Sequence, residues 1–188
     1  MLENFTLSPR NLEERPYTLL TAAFSHKDLG HLCSNMYSLN AFGPLMINAL
    51  GTPLFVSLYF GAAVFSSLVY LVLEKIAVQR DRWRRNIAYG LGASGAISGM
   101  IVAFATLWPK GTIIFLGIVP VSAWLYVAGY LAYEAYKEYN RDQRTYKVGH
   151  SAHLGGALYG GLFYLFLRNY HFIDDIYFNM YRYYTSIL

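Results

Sequence analysis

The sequence predicts an all-α membrane protein, a polytopic bundle with five transmembrane helices. Three observations predict it. Hydrophobic residues make up 55% of the chain and charged residues only 14%, against about a quarter charged in soluble domains. Several uncharged runs reach the roughly 20 residues a helix needs to cross a bilayer. The Lys and Arg residues gather in particular loops, as topology signals do. At 188 residues the chain has room for one bundle and little else.

Residues 1–28 read as an N-terminal loop segment. Met1–Arg15 is acidic and has no apolar core, so it is no signal peptide. Residues 29–167 form the predicted transmembrane domain. The first span, Leu29–Leu50, is uncharged apart from His31 but carries Asn35, Asn40 and Asn48. Pro53–Leu73 is the second span, Ile87–Trp108 the third, Gly111–Tyr133 the fourth and Ser151–Leu167 the fifth. Pro120 lies inside the fourth, which predicts a local kink with the freed carbonyl satisfied by neighbouring helices. Residues 168–188 are too polar to span. Their tyrosines suit the headgroup level of a membrane; the alternative is a packed or disordered tail.

The connections alternate between tight and long. Leu50–Pro53 and Pro109–Gly111 are tight turns on one side, which also holds the tail. Glu74–Asn86 and Glu134–His150 are long, charged loops on the other, with the N-terminal segment. Only Lys110, Arg168 and Arg182 lie on the tight-turn side, which leaves twelve of the fifteen Lys and Arg on the long-loop side. The positive-inside rule puts that side in the cytoplasm or its equivalent, such as a mitochondrial matrix. The run Gln79–Arg85 fits a topology-setting or headgroup-binding loop and gives no support for nucleic acid. The single cysteine, Cys33, excludes an intrachain disulfide and reads as a small packing residue.

Polar groups inside spans are expensive and are usually functional or helix-bridging. His31 and Asn35 open the first span, Ser94 lies about two turns into the third, and His153 opens the fifth. All three helices enter from the long-loop side, so these groups share one end of the bundle. His31 and Asn35, four apart, share a helix face. Ser94 adjoins Gly95 and Gly99, and His153 shares a stripe with Gly156 and Gly160. Facing glycine stripes let helix backbones approach closely, which brings Ser94 to His153. Each stripe alone is more often a packing motif than a catalytic one. A serine hydroxyl needs a base beside it, and histidine suits that role. His31, Asn35 and the Ser94 N–H offer donors for an oxyanion. No Asp or Glu lies within the five spans, so the expected catalytic unit is a Ser94–His153 dyad. The histidine spacings lack His-Glu-x-x-His and no carboxylate is placed to help, so no metal site and no cofactor are expected.

Three motifs in order, His26-x4-His31-x3-Asn35, Gly92-Ala-Ser94-Gly95 and Ala152-His153 followed by small residues, resemble the rhomboid intramembrane serine proteases over roughly Arg15–Leu167. That resemblance implies a serine endopeptidase that cuts the transmembrane segments of other membrane proteins. Ser94 would be the nucleophile, His153 the base and acid, and His31 with Asn35 the oxyanion hole. The stretches around GASGAI, Pro120–Trp124 and HSAHLGGALYGG look like the mitochondrial branch. This implies the inner membrane with the active-site side toward the matrix, in agreement with the charge bias. The family core has six helices, and the first of them has no counterpart here; no transit peptide is visible. The expectation is a fragment of a protease or a true five-span protein. In place of the aromatic residue that often follows the nucleophile by one turn, this chain has Ser98, so His153 must be held in another way. The competing function is a non-catalytic member of the fold that binds transmembrane helices as a scaffold or quality-control factor. Such proteins typically lose the serine or the histidine, and this sequence keeps both. Lipid and single-pass membrane proteins are the expected partners, with the oligomeric state open. A transporter is disfavoured, for want of paired buried charges and repeated halves.

Overall fold

The structure, a computed structural model, describes residues 2–80, 89–115, 117–140, 149–170 and 172–187. Three short helices, α1 (Leu2–Phe5), α2 (Pro9–Glu14) and α3 (Thr18–Thr21), precede a long apolar element, α4 (Leu29–Arg80). The Ser8 hydroxyl caps α2 by accepting from the Asn11 N–H at 3.1 Å, the usual service of a serine at that position. The N-terminal segment is therefore structured rather than a plain loop. It is tied to the bundle by paired Leu7 and Gly90 backbones, 2.7 and 2.9 Å, and by the Gly92 N–H donating to the Ala22 carbonyl at 2.9 Å.

α4 is two arms. Gly51 sits at φ 74°, ψ 158° inside it, a conformation that glycine adopts without steric cost. Pro53 follows two residues later, where its fixed φ suits the first turn of a new helix. A Cβ on Gly43 would lie 4.0 Å from the Phe55 ring, whereas twelve residues of straight helix span about 18 Å. The arms fold back on each other, as the sequence predicts for Leu29–Leu50 and Pro53–Leu73. Leu29–Ala77 is the stretch of the described residues long and apolar enough to cross a membrane.

α5 (Ser94–Leu107) is apolar but shorter, at 14 residues. Ser94 is its first residue rather than two turns in, and residues 90–93 run non-helically toward it. The predicted fourth span is corrected more strongly. Thr112–Phe115 (β1) and Val119–Ser122 (β2) form an antiparallel hairpin, with Pro120 opposite Ile114. Pro120 therefore kinks no helix. The following helix, α6 (Ala123–Tyr139), starts twelve residues late and ends past Tyr133. α7 (His150–Asn169) contains the predicted fifth span. The tail forms a helix, α8 (Phe172–Ile187), packed rather than disordered: Ile176 and Met180 are buried, and the Tyr177 hydroxyl donates to the Leu107 carbonyl at 3.0 Å. Most of the run Gln79–Arg85, from Asp81 on, lies outside the described residues, as do residues 141–148.

α5 is the centre of the molecule. Residues Gly95–Ala105 are all buried, clasped by α4 and α7. A Cβ on Gly156 would strike the Gly95 carbonyl, and one on Gly160 would strike the Gly99 carbonyl. The two glycine stripes face each other, as the sequence predicts. The outer face of α7 differs: Leu158, Leu162 and Leu165 are 55%, 47% and 49% exposed. A contiguous exposed apolar face of this kind marks a surface that meets lipid or another apolar partner.

Candidate active site

The glycine contact sets the depth at which α5 and α7 present their first turns. Ser94 opens α5, and its N–H has no acceptor within the helix. His153 lies in the first turn of α7, one turn above Gly156. The result is a hydrogen bond of 2.8 Å between Ser94 Oγ and His153 Nε2. The sequence brings these two residues together across 59 positions, and the structure places them in contact.

His31 and Asn35 stand on the first arm of α4, on the face that meets Gly92. Asp28 starts the helix, its carboxylate accepting from the His31 N–H at 2.8 Å. Gly92 has φ 114°, and a Cβ there would come within 2.6 Å of the His31 ring and 3.7 Å of Asn35 Nδ2. Glycine is required on both counts. His31 Nδ1 receives a long contact, 3.5 Å, from the Lys27 N–H, which leaves Nε2 as the protonated nitrogen. The Asn35 side chain is buried and its Nδ2 has no partner, a donor held ready at a cost of about 1–3 kcal/mol if left unsatisfied. His26 packs edge-on against His31, centroids 5.2 Å apart. Burial, followed by the neighbouring His31, holds His26 below the ordinary histidine range. Ser94, His153, His31 and Asn35 all line one cavity of about 640 Å³, walled also by Ser66 and Tyr70.

Two features escaped the sequence reading. The first is Tyr130 on α6. Its hydroxyl lies 2.5 Å from Ser98 Oγ, while Ser98 Oγ donates its own proton to the Ser94 carbonyl at 2.8 Å. Tyr130 is therefore the donor to Ser98. Its ring stands 6.4 Å from that of His153. The aromatic neighbour of the histidine comes from another helix, and Ser98 anchors it.

The second is Glu134, one turn beyond Tyr130 on the same face of α6. Its side chain is 5% exposed, with Oε2 2.6 Å from His150 Nδ1 and 3.0 Å from His153 Nδ1. The sequence places no carboxylate within a span, and the structure brings Glu134, from just past the predicted fourth span, to within 3.0 Å of His153. The 3.0 Å approach is close but off the ring N–H direction, so His153 Nδ1 has no straight hydrogen bond. Glu134, His150 and His153 also offer three ligand atoms within 4.8 Å of one another, the kind of cluster that can hold a divalent ion. Cys33, expected to pack, is exposed.

A paired serine and histidine, unpartnered donors beside them and a cavity above are the parts acyl transfer needs. A profile of the Rhomboid domain matches residues 13–170. The chain is 32% identical over 163 residues to "Rhomboid protein 1, mitochondrial" of Saccharomyces cerevisiae, covering 86% of this chain and 45% of that protein. It is 32% identical over 168 residues to "RHOMBOID-like protein 12, mitochondrial" of Arabidopsis thaliana, covering 84% and 48%. It is 34% identical over 169 residues to the human "Presenilin-associated rhomboid-like protein, mitochondrial", covering 85% and 40%. The chain thus spans less than half the length of these relatives, and its matched region carries every residue of the site described above. On the extent of the profile match and the identity across most of its length, the chain belongs to the rhomboid family of membrane proteins.

Proposed function

We propose that this chain carries the catalytic core of a serine endopeptidase that cleaves transmembrane segments of other proteins. The observation that carries this reading is the 2.8 Å contact between Ser94 Oγ and His153 Nε2. Ser94 attacks the scissile carbonyl as Nε2 takes its proton. The oxyanion that forms is met by Asn35 Nδ2, His31 Nε2–H and the Ser94 N–H. The proton then passes from Nε2 to the departing amine, and a water repeats the sequence to release the acyl group.

The depth of the site fits a substrate within the bilayer. Five spans are proposed: the two arms of α4, then α5, α6 and α7. α5 has 14 residues and is about 21 Å long at the helical rise, against about 30 Å of hydrocarbon. With Leu107 at one boundary, Ser94 lies several ångströms below the other. The cavity over it then gives water a route to a submerged nucleophile. The mitochondrial names of the relatives and the positive charge of the long-loop side support an inner-membrane location with the site facing the matrix.

A serine-directed fluorophosphonate tests the reading in lipid nanodiscs. Labelling that disappears in Ser94→Ala and in His153→Ala is expected. A folded protein that never labels would contradict it and favour a helix-binding scaffold.

A further inference from the structure

We propose that Glu134 is the positioning acid of the site, so that Ser94, His153 and Glu134 act as a triad. The proposal rests on the peptidase reading above and deepens it.

A carboxylate with 5% exposure on a helix flanked by apolar residues is costly unless something repays its desolvation. Two histidines on α7 do so, His150 at 2.6 Å and His153 at 3.0 Å, both through Nδ1 to the same oxygen. His150 alone would satisfy a structural pair. The second approach, to the histidine that already holds Ser94, is what gives Glu134 a role in the chemistry. Ser94 Oγ, His153 Nε2, His153 Nδ1 and Glu134 Oε2 form a chain of successive contacts. A carboxylate at Nδ1 fixes the neutral ring as the Nδ1–H tautomer, which leaves the Nε2 lone pair facing the serine proton. When Oγ bonds to the carbonyl carbon and its proton moves to Nε2, the imidazolium that results lies beside the negative charge. The proton leaves again from Nε2, to the amine, and Glu134 stays ionised throughout.

α6 delivers this as one unit. Tyr130 and Glu134, four apart, share a face. Tyr130 lies against the His153 ring, itself tied to α5 through Ser98. The helix supplies a side support and an end support for the same imidazole. The 3.0 Å contact is not yet a straight hydrogen bond. Catalytic hydrogen bonds commonly tighten when substrate arrives.

The test uses the whole chain, labelled with ¹⁵N-histidine in lipid nanodiscs, with the His153 signals assigned from a His153→Gln spectrum. Wild type is expected to show His153 as the Nδ1–H tautomer. Glu134→Gln should mix the tautomers while circular dichroism stays unchanged, and Glu134→Asp should restore the wild-type pattern. In cleavage, Glu134→Gln should lower kcat by up to about 10⁴-fold, the scale seen when a triad acid becomes an amide, with KM little changed. His150→Gln should keep both the tautomer and turnover within a few-fold of wild type. The proposal is overturned if the His153 tautomer is indifferent to Glu134→Gln, or if His150→Gln reproduces the whole loss. It is also overturned if chelator abolishes the wild-type pattern and Zn²⁺ restores it, which would make the cluster a metal site. A wild type that neither labels nor cleaves sinks the peptidase reading, and the tautomer still decides the place of Glu134.

Discussion

Asn35 and Ser98 each have one job that their geometry specifies. Asn35 keeps an unpartnered amide buried beside Gly92. That placement has a cost in the resting state and a return only when an anion forms nearby. Asn35→Ala should therefore lower kcat by about 10²–10³-fold, the effect of losing one oxyanion donor, while KM changes little; steady-state cleavage of a model substrate separates the two. Ser98 receives the Tyr130 hydroxyl. Ser98→Ala and Tyr130→Phe remove the same hydrogen bond from opposite ends. Each is expected to slow turnover by a few-fold, and the double substitution by no more than either one. Full additivity in that cycle would show that the pair does not act together. Of these residues, Ser94, His153, His31 and Asn35 were legible in the sequence because polar residues in apolar runs stand out and their spacings converge on one end of the bundle. Glu134 and Tyr130 were not. A hydropathy window closes at the first charge, so Glu134 fell into a loop. Tyr130 is one of 18 tyrosines, and nothing in its spacing singles it out.

Among the elements, α5 and α7 carry the main mechanical burden. Their contact is backbone on backbone at Gly95–Gly156 and Gly99–Gly160. Gly156→Ala must push the helices apart and should cost about 1–3 kcal/mol or more, as overpacking does. It should also lose activity, because Ser94 and His153 separate with the backbones. Gly161, one residue beyond Gly160, has open space where a Cβ would go. Gly161→Ala should leave melting temperature and cleavage unchanged or slightly improved, which makes it the matched control. This contact was readable in the sequence, because small residues four apart on two helices have few other uses. The hairpin at Thr112–Ser122 was not read, although a signal existed. Ile113, Ile114, Ile118, Val119 and Val121 are β-branched, Gly117 sits at the bend with φ 74°, and such runs suit paired strands. Hydropathy alone does not distinguish a short apolar hairpin from a stretch of membrane helix. Once the hairpin takes those residues, α6 shifts along the chain, and that shift is what carries Glu134 to His153.

For the whole molecule, the site occupies one end and α8 the other. Ile176 and Met180 are buried, the Tyr177 hydroxyl reaches the Leu107 carbonyl at the far end of α5, and Asn179 Nδ2 donates to the Ala49 carbonyl at 3.5 Å near the turn between the arms of α4. Met180→Ala should destabilise the fold by about 2–5 kcal/mol, the range for emptying a buried methionine. It should leave fluorophosphonate labelling intact at temperatures where the protein stays folded. Loss of labelling without loss of stability would mean that the two ends are coupled. The tail's placement opposite the long loops followed from counting spans; its helix did not, because the aromatic residues masked the period of Ile173, Ile176 and Met180.

The proposed intramembrane peptidase stands or falls with Ser94 and His153. The most direct measurement is cleavage of a single-pass substrate with a helix-destabilising segment, co-reconstituted in liposomes with wild type, Ser94→Ala or His153→Ala. Wild type is expected to make a defined cut within the substrate's transmembrane segment, and neither variant to make any. A cut that survives Ser94→Ala, or no cut from wild-type protein shown to be folded across several substrates, would contradict the proposal.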